Sequence, residues 1–239
     1  MAWEQTPYTV LFAGVAVPML AVAVVSYRHR ETAGALPLSA LAGATAVWAG
    51  AAALSVARTD FAGLRAFGNL TFAGIALIPV ALLFFAEEYT SHRVWLTRSG
   101  PVPLLVVPAL TQFVVWTNPI HQLMWTRRTV EHTGALSMLS VQYGPWFWFH
   151  GAYSYLLTIV ATSLLVRSFL LSETVFRSQA VAVLVGTFAP VITNVAYLTG
   201  LLAVPVDPTP IAFSVTAVTF LVAIYRHKLL ELVPVAREV

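Results

Sequence analysis

Residues that could bind a ligand follow one of the apolar runs of this chain. The stretch WTNPIHQLMW, Trp116–Trp125, places an asparagine, a proline and a histidine between two tryptophans, directly after the run PLLVVPALTQFVV. A carboxamide and an imidazole can both donate and accept hydrogen bonds, so Asn118 and His121 could close the roof of a pocket. We expect Trp116 and Trp125 to anchor this helix end at a membrane surface. A plain loop with aromatic packing is the alternative.

Several other chemistries are disfavoured by the residues present. The only lysine, Lys228, lies beyond the last apolar run, so retinal bound as a Schiff base is rejected. His121 and His150 could in principle hold haem or a metal ion, but neither has a close His or Glu on the same helix face. There is no cysteine, no glycine-rich phosphate loop and no Ser/His/Asp signature. We therefore expect no cofactor and no metal, and an intramembrane enzyme is a minor alternative.

The composition places these residues in a membrane protein. The chain of 239 residues is 59% hydrophobic and 10% charged, with a mean hydropathy of +0.80. A soluble domain carries about 25% charged residues, so this chain would lack a polar surface. The chain has 13 Lys and Arg residues and 10 Asp and Glu residues. This small excess of positive charge does not suggest nucleic acid as a partner. Glu4 and the lack of a basic residue before the first apolar run argue against a cleavable signal peptide.

Seven apolar runs must position the polar residues. Each is near the length of about 20 residues that crosses about 30 Å of hydrocarbon. They cover approximately residues 8–27, 36–57, 66–85, 101–120, 146–171, 179–204 and 209–225. The sequence thus predicts an all-α integral membrane protein in which residues 1–239 form a single seven-transmembrane-helix bundle, multi-pass in the plasma membrane.

The basic residues predict how the bundle is oriented. One set of alternate loops carries nine of them and the other set carries four. The nine are Arg28, Arg30, Arg93, Arg98, Arg167, Arg177, Arg226, Lys228 and Arg237, and the four are Arg58, Arg65, Arg127 and Arg128. Cytoplasmic loops carry the excess of Lys and Arg, so we expect the N-terminus outside and the C-terminus in the cytoplasm.

The longest loop, TRRTVEHTGALSMLSVQYG, joins the fourth and fifth spans on the predicted outer side. Its two flanks contain Thr, Val and Tyr in partial alternation, which is typical of β-strands. Gly134 between them can supply a tight turn. The sequence predicts a short β-hairpin that lies over the bundle as a lid, and an irregular loop is the alternative.

Polar side chains of the spans concentrate beneath this predicted lid. Such groups are costly in lipid and usually face the bundle interior. Ten residues form a candidate pocket for a small or lipophilic ligand: Asn69, Gln112, Asn118, His121, Tyr143, His150, Tyr153, Asn194, Tyr197 and Asp207. Alternatively, the amides join neighbouring helices at about 0.6 kcal/mol each, and the aromatic residues form a belt at the membrane interface.

Five segments carry a resemblance to a known family. They are TNPIHQLMW, YGPWFWFHGAYSY, FRSQAVAVLVGTFAPVITNVAY, DPTPIAFSVTA and YRHKLLELVPVARE. In their order and spacing they resemble the N-terminal seven-helix membrane region of sensor histidine kinases, which are common in archaea and occur in some bacteria. The matching residues are Asn118, His121, Tyr143, Gly144, Pro145, His150, Tyr153, Arg177, Gln179, Gly186, Pro190, Asn194, Asp207, Thr209, Pro210 and Arg237. Before the fourth span the likeness is looser, since Leu82 stands where the family often has a tryptophan.

The resemblance implies a sensory input domain of a two-component signalling system. It implies a lipid bilayer around the chain, an undefined ligand, cytoplasmic kinase or sensory modules in cis or in trans, and a possible homodimer. Residues 226–239 would form the output connector, with candidate residues Arg226, Leu229, Leu230, Pro234 and Arg237. The sequence contains no phospho-acceptor histidine motif and no ATP-binding glycine boxes, so we expect this chain not to be an enzyme.

A small membrane transporter or permease is the alternative function. Paired discontinuous spans in an inverted repeat would favour transport. No internal repeat is visible in the sequence, and an odd number of spans fits such a repeat poorly. A purely structural membrane anchor is a third class, but it would not need polar residues clustered on one side.

Overall fold

The computed structural model describes residues 3–90, 100, 102–134, 136–171 and 174–225, with side chains omitted for 171–180 and 223–225. Within these ranges the chain is mainly helical, with one two-stranded sheet. The elements are α1 (Pro7–Arg28), α2 (Ala35–Val56), α3 (Phe61–Ile75), α4 (Ile78–Tyr89), α5 (Val102–His121), β1 (Trp125–Thr133), β2 (Leu136–Tyr143), α6 (Pro145–Leu171), α7 (Thr174–Leu198) and α8 (Thr209–Tyr225).

Six helical stretches are long and apolar enough to cross a membrane. They are Pro7–Arg28, Ala35–Val56, Phe61–Tyr89, Val102–His121, Pro145–Leu170 and Val181–Leu198. Together they make this a multi-pass membrane protein. The apolar stretch of α8 within the described residues, Thr209–Val222, is shorter than the other six. The seventh span and the orientation across the bilayer therefore stay predictions.

The third of these stretches consists of two helices, α3 and α4, and is longer than the predicted span 66–85. The interruption lies at Ala76 and Leu77, where the Leu77 N–H bonds to the Gly74 carbonyl oxygen at 3.0 Å, one residue closer than in an α-helix. Pro79 explains the interruption, because proline has no N–H to donate to Ile75 and its ring crowds that carbonyl. The span is therefore kinked in the middle.

Helix α2 lies at the centre of the bundle and packs against α1, α3, α4 and α8. Its contact with α3 is unusually close at Gly74, where an added Cβ would clash with the carbonyl oxygen of Ala44 and the backbone nitrogen of Trp48. Helix α8 packs on α7 and α1, and α4 packs on α6, so the helices surround a common core. Phe85, Leu165 and Phe220 are fully buried in that core.

The sixth predicted span, 179–204, extends too far at its C-terminal end. Helix α7 ends at Leu198, and Gly200 follows with a left-handed φ of +75°, a conformation that commonly ends helices. Pro205 and Pro208 then disfavour a new helix before Thr209. Residues 199–208 form a loop that carries Asp207 to the start of α8.

The predicted β-hairpin is confirmed. Strands β1 and β2 are antiparallel, Thr133 pairs with Leu136, and Gly134 has the left-handed φ of +62° expected of a tight turn. Leu136 packs with Phe12 and Val56 of the bundle, so the sheet lies over the helices rather than projecting away from them. We call this end of the molecule, with the loops 57–60 and 199–208, the hairpin end.

Candidate functional site

A cavity of about 380 Å³ lies beneath the hairpin, inside the bundle. Every helix except α5 contributes to its wall, and Trp125, Met138 and Leu139 of the hairpin form part of its roof. Apolar residues dominate the lining, including Trp48, Phe72 and many aliphatic side chains. A volume of this size falls within the range of about 300–1,000 Å³ that is typical of small-molecule pockets.

Two polar atoms of α6 are buried at this cavity without a partner. His150 is 4% exposed, and its Nε2 forms no hydrogen bond within the described part of the chain. The same holds for the Oγ of Ser154, which follows one helical turn later and therefore lies on the same face. Both residues line the cavity, and the Phe72 ring stands edge-on to the imidazole at 6.4 Å. Two residues of the cavity wall thus carry a buried polar atom that has no hydrogen-bond partner among the described residues.

A chain of hydrogen bonds lies along another side of the cavity. The Tyr155 hydroxyl donates to Asn194 Oδ1 at 2.5 Å, and Asn194 Nδ2 donates to Thr209 Oγ1 at 3.1 Å. The Thr209 hydroxyl then donates to Asp207 Oδ1 at 2.5 Å, as does the Thr209 backbone N–H at 2.9 Å. These hydrogen bonds join α6, α7 and the start of α8, and each of their donors is paired with an acceptor of the protein.

The Asp207 carboxyl is buried, and this burial raises its pKa above the ordinary value despite the two hydrogen bonds from Thr209. It forms no salt bridge with any described residue. Tyr143, at the end of β2, stacks on Phe147 with ring centroids 3.7 Å apart. Burial, followed by the nearby Tyr197 and Asp207, raises the pKa of Tyr143 to about 12. The acidic groups of Tyr143 and Asp207 on this part of the wall are therefore costly to ionise.

Arg128 of β1 brings a positive charge to the roof. Its guanidinium donates to Asn69 Oδ1 at 2.8 Å and lies 3.7 Å from the centre of the Trp125 ring. Burial, together with the nearby Arg65, lowers the pKa of Arg128 to about 10. The cavity is thus lined by one cationic side chain and one carboxyl group, on different elements.

Comparison with known families settles what kind of region this is. A family model described as the N-terminal 7TM region of histidine kinase matches residues 9–234, which include all but the first residues of α1 and the whole of every later element. The chain belongs to this family. A search among curated proteins returned no match. The resemblance noted from the sequence motifs is confirmed, and the protein is a histidine kinase sensor region.

Half of the predicted pocket residues line the cavity of this sensor region. Those five are Tyr143, His150, Asn194, Tyr197 and Asp207. Their convergence follows from the fold, because the hairpin end of α6 faces the hairpin end of α7 and the loop before α8. The other five are Asn69, Gln112, Asn118, His121 and Tyr153, and they do not line it.

Three of those five residues connect backbone segments of the sensor region. Asn69 Nδ2 donates to the Val115 carbonyl at 3.4 Å while its oxygen accepts from Arg128. Gln112 donates to the Phe72 carbonyl at 2.6 Å, and Tyr153 donates to the Leu104 carbonyl at 2.6 Å. These bonds join α3, α5 and α6. For Asn69 and Gln112 this is the interhelical role that we gave as the alternative, whereas the alternative for Tyr153 was the aromatic belt at the interface.

Asn118 and His121 hold the turn between α5 and the hairpin. Asn118 Oδ1 accepts from the N–H of Met124 at 2.8 Å and of Trp125 at 3.0 Å, and its Nδ2 donates to the Trp125 carbonyl at 3.0 Å. His121 Nδ1 accepts from the Leu123 N–H at 3.0 Å, so its proton lies on Nε2, 3.0 Å from the Thr117 hydroxyl oxygen. Both residues thus support the hairpin from outside the cavity.

The prediction that both tryptophans anchor the helix end at a surface is wrong for Trp125. Trp116 is 53% exposed, but Trp125 is 5% exposed and packs edge-on to Phe72 with centroids 5.3 Å apart. The reason is the turn after α5: Gln122 takes a left-handed φ of +54°, and the chain then folds back over the bundle. Trp125 becomes part of the core beneath the hairpin.

Sequence reasoning missed several polar residues of the cavity wall, among them Arg128, Ser154, Tyr155 and Thr209. The four-residue spacing from His150 to Ser154 was a usable signal, but Arg128 looked like an ordinary loop charge. Across the described ranges, no three His, Cys, Asp or Glu side chains group as metal ligands. The predicted connector residues Arg226, Leu229, Leu230, Pro234 and Arg237 lie outside the described residues.

Proposed function

We propose that this sensor region binds a small or lipophilic ligand in the cavity beneath the hairpin and relays occupancy through α8. The observation that carries the proposal is the pair of unpartnered polar atoms, His150 Nε2 and Ser154 Oγ, in residues that line a mainly apolar cavity. A buried polar group without a partner costs about 1–3 kcal/mol. A ligand that supplied both hydrogen bonds would recover this cost and would be oriented by them.

Helix α8 is suited to pass on the change because one of its faces lines the cavity. Thr209, Phe213, Thr216 and Phe220 follow one another at helical spacing along that face. The Thr216 hydroxyl donates to the Gly186 carbonyl of α7 at 2.6 Å, and Phe220 packs on Phe85 of α4. Residues 226–239 follow α8 directly, and we propose that they connect it to cytoplasmic kinase or sensory modules.

A ligand shifts a conformational equilibrium only if it binds one arrangement more tightly than the other. The cavity meets this condition if occupancy changes how α8 packs on α7 and α4, since all three helices contribute to the wall. In the proposed orientation the hairpin end faces outward and the far end of α8 faces the cytoplasm.

The test fuses Met1–Val239 to a cytoplasmic histidine kinase module and measures autophosphorylation in vesicles while stimuli are screened. Gly151 lines the cavity and has open space around its missing Cβ, so Gly151→Leu places a bulky side chain at the cavity with no clash at Cβ. Gly14→Leu is the matched control, because Gly14 also faces open space but is exposed on α1 and does not line the cavity.

We expect Gly151→Leu to remove the response to the active stimulus, and Gly14→Leu to keep it. Equal responses in the two variants would contradict the proposal, because they would show that the cavity is not the place where the stimulus acts. Loss of the response in both would point instead to a general effect of leucine on the bundle and would equally remove the support for the cavity.

A further inference from the structure

A second concave surface lies beside the cavity, on the outside of the bundle. It is a groove of about 680 Å³ between α6 and α7, lined by Tyr155, Thr158, Ile159, Thr162, Ser163, Val166, Arg167, Leu170, Phe188 and Val191. Three of these residues, Tyr155, Thr158 and Val191, also line the cavity. We call these three residues the portal, because they line both the cavity and the groove.

The groove faces the lipid. Ile159 and Leu170 of α6 and Phe188 of α7 are exposed, and all three belong to helical stretches long and apolar enough to span a membrane. Exposed apolar side chains at that depth contact hydrocarbon rather than water. The distance from Thr158 to Leu170 along α6 is about 18 Å, at 1.5 Å per residue. The groove therefore offers an apolar track that an extended alkyl chain could occupy.

One stripe of α6 connects the two spaces. His150, Ser154 and Thr158 line the cavity at successive four-residue steps, and the stripe continues through Thr162 and Val166 in the groove. The two unpartnered polar atoms stand at the cavity end of this stripe. A molecule that followed it would meet hydrogen-bonding groups at one end and lipid-facing apolar side chains at the other.

The hairpin covers part of the cavity from another direction. Met124, Trp125, Leu136 and Ser137 are buried where the hairpin meets the helices. A ligand arriving from the hairpin end would have to displace this packing, whereas between the cavity and the groove it would have to pass only the portal side chains, which line both spaces.

We propose that the ligand is a single-chain amphiphile with an uncharged head, and that it enters the cavity from the bilayer through the portal. This inference rests on the proposed function. The head, a hydroxyl or a carbonyl group, bonds to His150 Nε2 and Ser154 Oγ, and the alkyl chain leaves through the portal along the groove. The cavity lining is mainly apolar, so burying an ionic head there would cost far more free energy than burying a hydroxyl or a carbonyl group.

The experiment uses the full chain of 239 residues in phosphatidylcholine nanodiscs. The probe is 1-dodecanol with a diazirine near the end of its chain, which is photolysed after equilibration and located by mass spectrometry. We expect labelling of groove residues on α6 and α7. Unlabelled 1-dodecanol should compete for the site, and dodecylammonium and dodecyl sulfate should compete at least about tenfold more weakly, which corresponds to about 1.4 kcal/mol.

Two substitutions block the portal from opposite helices. Val191→Trp on α7 and Thr158→Phe on α6 should each lower labelling at least about tenfold. Ile192→Trp is the matched control, because Ile192 is next to Val191, is 63% exposed and lines neither space. His150→Phe combined with Ser154→Ala should weaken binding about tenfold without moving the labelled positions in the groove.

Wild-type labelling in both portal variants would overturn entry between α6 and α7, and stronger competition by either charged amphiphile would overturn the uncharged head. The failure of this inference is distinguishable from that of the proposed function. If the kinase fusion responds to a stimulus in a way that depends on Gly151 but not on the portal, the cavity is the sensor and this inference is wrong. If the probe labels the groove through the portal but filling the cavity at Gly151 leaves the output unchanged, the proposed function is wrong.

Discussion

Replacing Asn118 by alanine should destabilise the protein strongly, even though Asn118 does not line the cavity. The side chain is 5% exposed, and it forms three hydrogen bonds to the backbone of Met124 and Trp125. Met124 and Trp125 are themselves buried, so water cannot replace the lost partner easily. Asn118→Ala would leave two N–H groups and one carbonyl oxygen without a partner.

The expected loss of stability follows from these three groups. Each buried polar group left unpaired costs about 1–3 kcal/mol. The three groups belong to one turn, so their costs are not additive, and we expect a total of about 3 kcal/mol. For a chain of this length, about 2–4 °C of Tm is lost per kcal/mol, which gives a decrease of about 6–12 °C.

Thermal unfolding in detergent, followed by intrinsic fluorescence, measures this change. His121→Ala is the control three residues along the same helix, since His121 is only partly buried and bonds to Thr117 and Leu123 near the helix end. We expect it to lower Tm by less than about 3 °C. A Tm for Asn118→Ala within the range of the control would refute the conclusion that Asn118 fixes the hairpin. It would also reopen a direct role for this residue in ligand recognition.

Three further predictions are checked by Tm. Gly74→Ala should lower the free energy of unfolding by about 1–3 kcal/mol, because the added Cβ would press on the backbone of Ala44. Gly43→Ala is the control and should be tolerated, since the Cβ added there meets only a side chain at 3.9 Å. Asp207→Asn should raise Tm at pH 7.5 but not at pH 4, because burial raises the pKa of this carboxyl and only its ionised form is penalised in the folded state. Between pH 10 and 12, the free energy of unfolding of the wild-type protein should fall by about 2 kcal/mol more than that of Tyr143→Phe. In this range the tyrosine of the unfolded chain ionises, whereas the folded protein, in which the pKa of Tyr143 is about 12, resists its ionisation.

The sequence predicted best the features that lipid imposes. A helix must be apolar over a fixed length to cross the bilayer, so the six long helices could be located from hydropathy alone. The hairpin was also predictable, because Thr, Val and Tyr favour strands and Gly134 can adopt the positive φ of the turn. The end of α7 was missed, since residues 201–204 are apolar and only the left-handed Gly200 separates them from the helix.

Side-chain partners were much harder to predict. Asn118 was predicted to face a ligand, and nothing in the sequence indicated that the left-handed Gln122 would bring the backbone of Met124 and Trp125 to its carboxamide. Arg128 was treated as a loop charge, because strand alternation does not say which face of a hairpin meets the helices. The cavity itself is a gap between elements that are distant in sequence, and no local pattern encodes its walls.

A pivot at the interruption between α3 and α4 would move the far end of α4 more than the residues beside the pivot. Helix α4 has 12 residues and is about 18 Å long, so a change of 5° in its direction at Ala76 and Leu77 would move its far end by about 1.6 Å. The pivot lies in the cavity wall, where Ile75 and Ile78 stand on either side of it. At the far end, the Glu88 carboxylate accepts the Gly34 N–H at 2.7 Å, directly before α2. A change of angle at this point would therefore produce its largest displacement at the opposite end of the bundle, where α4 meets the start of α2.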